Sequence, residues 1–479
     1  MKSVPTATIT PAAGVPEDPT PLRWSNWTFP VVVAVVTVGV GLFAAFALPR
    51  LLGDPQWLTL GDAVWTVQSA QRVSWGALGT VYSINDQYLP LPGFLIVLAP
   101  FVALGNHLGY VNPFPVAPAY PTMWIVVVPV FLVTGSMSIL GADYLADTLR
   151  VTKARRRLLS VAIAAFVVLP TCLWAGHPED LLALGLSCVS VALLLRSRPI
   201  GAALGLMLAI MMQPWALLLI PTLIVATPAG RRLRVLVYAI ALPALTAIGL
   251  LATDFHDAFR SLVLQPMQGH GQKLPWWDMA RRMTIYQWHA APDPVRIGST
   301  PRLLAVVTAI AIAVAIRRDV RPGTVMLSVS VALVARGAFE TQIWCWYLAP
   351  AAVFLALSVA AQAGSNTRRW TVGALCVFAF YGFAAGAYDQ YSLPPMLGLG
   401  LLLVTAAGAL VAADLDLHCQ WAGFDLSAVR PGRPIFARSV ERAKPGLTAM
   451  TTVGDGQSDI GILATEPLYV HDSSDHSFR

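Results

Sequence analysis

The chain has 479 residues, of which 56% are hydrophobic and only 12% are charged, with a formal net charge of +7. Soluble domains carry about 25% charged residues, so this composition excludes an ordinary soluble protein. Many apolar runs approach the roughly 20 residues that a helix needs to cross a bilayer. The sequence therefore predicts an all-α, multi-pass membrane protein. No basic run interleaved with aromatic residues indicates nucleic-acid binding.

In chain order, residues 1–29 are predicted to be a disordered cytoplasmic tail, because they are rich in Pro, Thr and Ala. Residues 30–412 form the multi-span domain, and residues 413–479 a second disordered cytoplasmic tail. About twelve transmembrane helices are predicted, at residues 31–48, 123–142, 158–175, 181–195, 200–212, 215–226, 235–252, 303–316, 325–334, 347–360, 371–387 and 396–412.

Two long loops, 49–121 and 253–300, are predicted to lie on the outer face. In the first loop, residues 57–69 place apolar and polar side chains on two faces of a helix: Trp57, Leu60, Val64 and Val67 against Asp62, Thr66 and Ser69. This pattern predicts a helix lying at the membrane interface. Residues 91–104 are apolar but short and contain Pro92 and Pro100, which predicts a re-entrant or interfacial segment. If that segment crosses the membrane instead, the N-terminus moves to the outside.

Arginines and lysines cluster in short loops that all fall on one side of the predicted membrane. The clusters lie at residues 150–157, 196–198, 231–234, 317–321 and 368–369. Basic short loops are typical of the cytoplasmic side, so the remaining loops are assigned to the outer face. Acids and histidines gather on that outer face, where they become candidates for function.

Asp62 is the candidate catalytic residue. A carboxylate at this position can act as the general base that removes a proton from an attacking sugar hydroxyl. The alternative is an acid that merely favours a helix N-terminus or is solvated.

The turn Gly176-His177-Pro178-Glu179-Asp180 opens another predicted helix. Pro178 suits the first helical position, and the two acids suit the first turn, so capping explains part of the pattern. His177, Glu179 and Asp180 are also suited to orienting a substrate or holding a divalent cation. The sequence identifies no certain cofactor and leaves a divalent cation open.

Five more polar residues are candidates for binding a substrate phosphate: His256, His270, Lys273, Arg336 and Glu340. Cations on an outer loop are suited to a bound phosphate, although long loops escape the positive-inside pattern in any case. Arg336 and Glu340 stand four residues apart, so an ion pair on one helix is the alternative for them.

With these residues placed, residues 30–412 resemble the GT-C superfamily of polyprenyl-phosphate-sugar-dependent glycosyltransferases, and in particular the family 87-like membrane mannosyltransferases. The resemblance rests on the span order, the first outer loop with Asp62, the Gly176-His177 turn and the hairpin at Gln213-Pro214-Trp215. It implies an Asp general base at Asp62 and a polar helix start at His177, Glu179 and Asp180. It also implies inverting transfer of a sugar, expected to be mannose, from a polyprenyl-phosphate donor to a lipid-linked or glycan acceptor.

Two alternatives to an enzyme stay open at this point. Many members of that superfamily pair two acids in the first loop, whereas Gly61 precedes Asp62 here. A non-catalytic membrane partner of an envelope-building enzyme is therefore one alternative. The other is a transporter or lipid flippase, which would be expected to place polar groups near the bilayer midplane, often in repeated halves.

Overall fold

The computed structural model describes residues 28–51, 63–84, 90–110, 122–264, 299–318, 320–339 and 345–362. All regular secondary structure in these ranges is helical, which confirms the predicted all-α class. The predicted spans 371–387 and 396–412 and both predicted tails (residue 413 onward, and nearly all of 1–29) lie outside the described residues.

The described residues form mainly α-helices, several of them extended by single turns of other helix types. In chain order they are α1 (Thr28–Leu42), α2 (Ala63–Ser74), α3 (Gly93–His107), α4 (Trp124–Thr148), α5 (Lys153–Ile163), α6 (Pro178–Leu195), α7 (Pro199–Met212), α8 (Ile220–Ala226), α9 (Arg232–Thr253), α10 (Phe255–Phe259), α11 (Ser299–Ile316), α12 (Pro322–Phe339) and α13 (Ala349–Gln362). Single turns extend several of them: π-helical Phe43–Ala47, Ala164–Val168, Thr171–Ala175 and Arg260–Leu264, 3-10 helical Leu78–Thr80, Pro214–Leu219, Ala229–Arg231 and Cys345–Leu348, and α-helical Leu48–Leu51 and Val81–Ile84.

Five helical segments in the described part of the chain are long and apolar enough to cross a membrane. They are Thr28–Ala47, Trp124–Thr148, Lys153–Leu173, Pro178–Leu195 and Ala229–Thr253. Shorter apolar helices accompany them: Gly93–His107, Pro199–Met212, Pro214–Ala226, Leu303–Ile316, Pro322–Gly337 and Trp346–Ala361. The chain is therefore a membrane protein by the length and composition of its helices.

Helices α4 and α6 pack backbone against backbone at two glycines. A Cβ atom added to Gly185 on α6 would lie 2.8 Å from the carbonyl oxygen of Met137 on α4. Gly141 on α4 faces Gly185 in the same crossing. Small residues permit such close approach, which is how helices gain packing energy where lipid removes the hydrophobic driving force. This crossing fixes α6, whose first turn carries the predicted site residues.

The described part of the first predicted outer loop contains two helices that pack together. Helix α2 packs against α3 and buries the polar Thr66 and Ser69 together with the apolar Val67. The small side chains of Ala63 and Ala70 lie on the same buried face and let the neighbouring helix approach. Helix α3 continues through Pro100 from Gly93 to His107, and it is shorter than the helices that are long enough to cross a membrane. That the segment is re-entrant or interfacial stays a prediction.

One buried ion pair and two half-buried ones hold three helices together at one end of α6. The Arg156 guanidinium on α5 donates to both oxygens of Asp143 on α4, at 3.0 Å from Nε and 2.5 Å from Nη2. It also pairs with Asp147. Arg196, which caps α6, reaches the other oxygen of Asp147 at 3.3 Å. We call Asp143, Asp147, Arg156 and Arg196 the arginine network.

Candidate functional site

The predicted acidic motif lies at the end of α6 opposite the arginine network, directly after a turn with a left-handed glycine. Gly176 has φ +73°, a conformation that glycine adopts without the steric penalty of a side chain. The following amide, that of His177, donates to the carbonyl of Thr171 at 3.1 Å. Pro178 then starts α6, so Glu179 and Asp180 fall in its first turn, where the helix dipole favours negative charge.

Both carboxylates are buried and hydrogen-bonded to side chains. Glu179 and Asp180 are each 1% exposed. His177 Nδ1 lies 2.7 Å from Glu179 Oε1. Asp180 accepts from Trp215 Nε1 at 2.8 Å and from Gln213 Nε2 at 3.3 Å. We call His177, Glu179 and Asp180 the acid cluster; one ligand atom from each residue lies within 4.8 Å of the other two.

Aromatic rings and one guanidinium surround the acid cluster. The His177 ring stacks on Trp346, with centroids 4.6 Å apart. Arg336, in the last turn of α12, lies over the rings of Tyr347 at 4.5 Å and Trp215 at 5.9 Å. Its Nη1 donates to the carbonyl oxygen of Tyr347 at 3.4 Å. Arg336 also interacts electrostatically with Asp180. A cation held on ring faces near two acids is suited to binding an anionic group of a ligand.

The structure brings four of the nine predicted site residues into one region: His177, Glu179, Asp180 and Arg336. His256 sits on α10, where its side chain is 86% exposed and pairs with its neighbour Asp257 at 2.9 Å. Its assignment to the site stays a prediction. Asp62, His270, Lys273 and Glu340 lie outside the described residues, and so does the predicted pair of Arg336 with Glu340.

Sequence reasoning missed the neutral side chains that complete the region. Gln213 and Trp215 were assigned only to a hairpin turn, yet both donate to Asp180. Trp346 and Tyr347 precede α13 and were assigned only to the start of a span. A usable signal was present, since polar-tipped aromatics at a helix start can reach neighbouring helix ends.

No family model and no curated protein matches this sequence.

Proposed function

We propose that the protein is a multi-pass enzyme of the bacterial plasma membrane that transfers a sugar from a polyprenyl-phosphate donor. The acceptor is an envelope glycolipid or glycan on the outer face, the transferred sugar is mannose, and the transfer inverts the anomeric centre. The observation that carries this proposal is the buried acid cluster beside Arg336, at the end of α6 opposite the arginine network.

The surroundings of the cluster support a lipid-phosphate donor. Arg336 offers a guanidinium to the donor phosphate, and a fork of N–H groups suits phosphate oxygens better than a point charge does. Tyr347 and Trp215 hold that guanidinium on their ring faces, so it is oriented before a ligand arrives. Ionisable groups buried within membrane helices are energetically costly, and that cost supports a functional role for Glu179 and Asp180.

The positions of the arginines support placing the acid cluster on the outer face. Arg156 and Arg196 lie at the far end of α6 from the cluster, and Arg231, Arg232 and Arg234 precede α9. By the positive-inside pattern these arginines belong to the cytoplasm, which leaves the acid cluster on the opposite side.

Asp62 is proposed as the general base. It immediately precedes α2, although it is outside the described residues, and α2 packs against α3 inside the bundle. In the reaction, the acceptor hydroxyl attacks the anomeric carbon while Asp62 accepts its proton. The bond from that carbon to the phosphate oxygen breaks, and polyprenyl phosphate leaves with the electron pair. Arg336 stabilises the negative charge on the departing phosphate.

The test is sugar transfer from radiolabelled polyprenyl-phosphate sugars by purified protein in proteoliposomes. Asp62→Asn is expected to lose at least about 100-fold in transfer rate, because a general base commonly contributes 10²–10⁴. The matched control is Asp257→Asn, which removes a half-buried carboxylate whose side-chain ion pair is with His256. It is expected to transfer sugar at the wild-type rate.

The same vesicles separate the enzyme from a flippase. A flippase would move the labelled lipid between leaflets without releasing polyprenyl phosphate. Movement without transfer, or full transfer by Asp62→Asn, would contradict the proposed mechanism.

A further inference from the structure

We propose that the acid cluster binds a divalent transition-metal ion, Mn²⁺ or Zn²⁺, through His177, Glu179 and Asp180. The ligand set is one imidazole nitrogen and carboxylate oxygens from two residues, which suits these ions. The site overlaps the region used in the proposed function, but metal binding does not depend on sugar transfer and is tested without any donor.

One carboxylate oxygen of Glu179 lacks a hydrogen bond among the described residues, which favours a bound cation. Glu179 Oε2 is buried and accepts no hydrogen bond from any residue that the structure describes. The residue itself is 1% exposed, so bulk water does not replace the missing partner. A buried carboxylate oxygen without a partner has lost its hydration with nothing in return, and a coordinated cation removes that penalty.

The hydrogen bonds around the ligand atoms also suit a metal ion. Metal-binding histidines usually donate their other ring nitrogen to an acceptor, and metal-binding carboxylates are themselves hydrogen-bonded. His177 Nδ1 lies 2.7 Å from Glu179 Oε1, so an ion bound to both atoms would replace the proton that they share, while Nε2 carries the ring proton. Trp215 and Gln213 each donate to one oxygen of Asp180, and each of those oxygens keeps capacity for a second partner.

The charge of the acid cluster also favours a bound cation. The region contains the carboxylates of Glu179 and Asp180, and Arg336 is the arginine that interacts with Asp180. With His177 neutral, the negative charge of Glu179 has no lysine or arginine partner among the described residues. A divalent ion compensates that charge inside a low-dielectric environment, where an uncompensated charge is expensive.

The spacing of the ligand atoms fits binding with a small closure. The three ligand atoms lie within 4.8 Å of one another. Nitrogen and oxygen ligands sit about 2.0–2.2 Å from Zn²⁺, which separates them from each other by roughly 3–3.5 Å. Rotation about the side-chain bonds of Glu179 and Asp180 covers the difference. Three protein ligands leave at least one coordination position open to a further ligand.

The experiment uses full-length protein in lipid nanodiscs, stripped of metal with a chelator. Free Mn²⁺ is followed by electron paramagnetic resonance during a titration, and Zn²⁺ is then added as a competitor. We expect wild type to bind one Mn²⁺ per chain in the micromolar range and Zn²⁺ to displace it. Glu179→Gln and His177→Gln are each expected to weaken binding at least about 10-fold.

Asp257→Asn again provides the control, because its carboxylate also stands beside a histidine but is outside the cluster. It should bind Mn²⁺ like wild type. His177 is the more exposed of the two ligands that are changed, so His177→Gln is informative even if Glu179→Gln fails to fold.

Two results would overturn the metal site. One is wild-type protein that binds neither ion in the titration. The other is folded His177→Gln protein with wild-type Mn²⁺ affinity, which would place any bound ion elsewhere. Because no sugar donor is present, either result leaves the proposed transferase activity untouched, and full transfer by Asp62→Asn, which would contradict the proposed mechanism, leaves the metal site untouched.

Discussion

The two ends of α6 differ in how completely their carboxylates are paired with cations. At the end with the arginine network, Asp143 accepts two hydrogen bonds from Arg156, and Asp147 is shared between Arg156 and Arg196. Each acid there has a guanidinium in direct contact. The charges of this end are used to join α4, α5 and α6.

At the other end, the two acids have no direct arginine contact among the described residues. Asp180 accepts from the neutral side chains of Trp215 and Gln213, and Glu179 contacts His177. Arg336 lies nearby on aromatic faces instead of in a carboxylate fork. The same residue types therefore hold the helices together at one end of α6 and keep binding capacity for a ligand at the other end.

The largest effect on stability is expected from Arg156→Met. The change removes the guanidinium from buried Asp143, whose side chain is 4% exposed. Leaving one partner of a buried ion pair uncompensated typically costs about 3–5 kcal/mol. The free energy of unfolding, measured by denaturing-detergent titration in mixed micelles, should fall by that amount.

A double variant sharpens this prediction. Arg156→Met with Asp143→Leu removes both members of the pair and leaves Asp147 with Arg196. Replacing a buried pair with apolar residues is often neutral, so most of the lost stability should return. If the double variant were as unstable as Arg156→Met alone, the uncompensated charge would not be the cause.

A smaller loss of stability is expected at the acid cluster from Trp215→Phe. The phenyl ring keeps a face for Arg336 but removes the N–H that donates to Asp180 at 2.8 Å. A hydrogen bond to a charged group contributes about 1.5–3 kcal/mol. The same titration should report that loss, and the sugar-transfer assay should report a fall in rate.

If Trp215→Phe lowered the free energy of unfolding as much as Arg156→Met does, the two ends of α6 would not differ in this way. In that case the acid cluster would be holding the fold in the same way as the arginine network.

The smallest effect is expected from Ser328→Ala. Its hydroxyl lies 2.8 Å from that of Thr222, joining α12 to α8. Hydrogen bonds between membrane helices average about 0.6 kcal/mol, because the freed partner bonds elsewhere. Thr222 can then return to a carbonyl of its own helix. A loss above about 2 kcal/mol in the titration would contradict this ranking.

Much of the helical layout is visible in the sequence because its signals are local. The hairpin at Gln213-Pro214 was predicted because a proline interrupts two apolar runs, and α7 ends at Met212 as expected. The Gly176-His177-Pro178 turn was equally local. In each case the residues that determine the structure are neighbours in the chain.

The pairing of side chains from different helices could not be predicted in this way. Arg156 was assigned to a basic loop because arginine is normally solvated, but α5 begins at Lys153 and carries Arg156 into contact with Asp143. The stack of His177 on Trp346 likewise depends on how α6 and the turn before α13 are packed. Only the three-dimensional packing sets which of many aromatic residues meets a given histidine.

The length of α6 has a consequence for the lipid around it. Asp180 and the capping Arg196 are sixteen residues apart on one helix, which at 1.5 Å per residue places their backbones about 24 Å from each other. A typical hydrocarbon core is about 30 Å thick, so either the surrounding bilayer thins locally or the acid cluster, enclosed by protein, lies below the level of the headgroups. In a bilayer of short-chain lipids these acids would therefore lie closer to the membrane surface, and in a bilayer of long-chain lipids they would lie deeper. The thickness of the host membrane thus becomes a determinant of how readily a headgroup or an ion reaches Glu179.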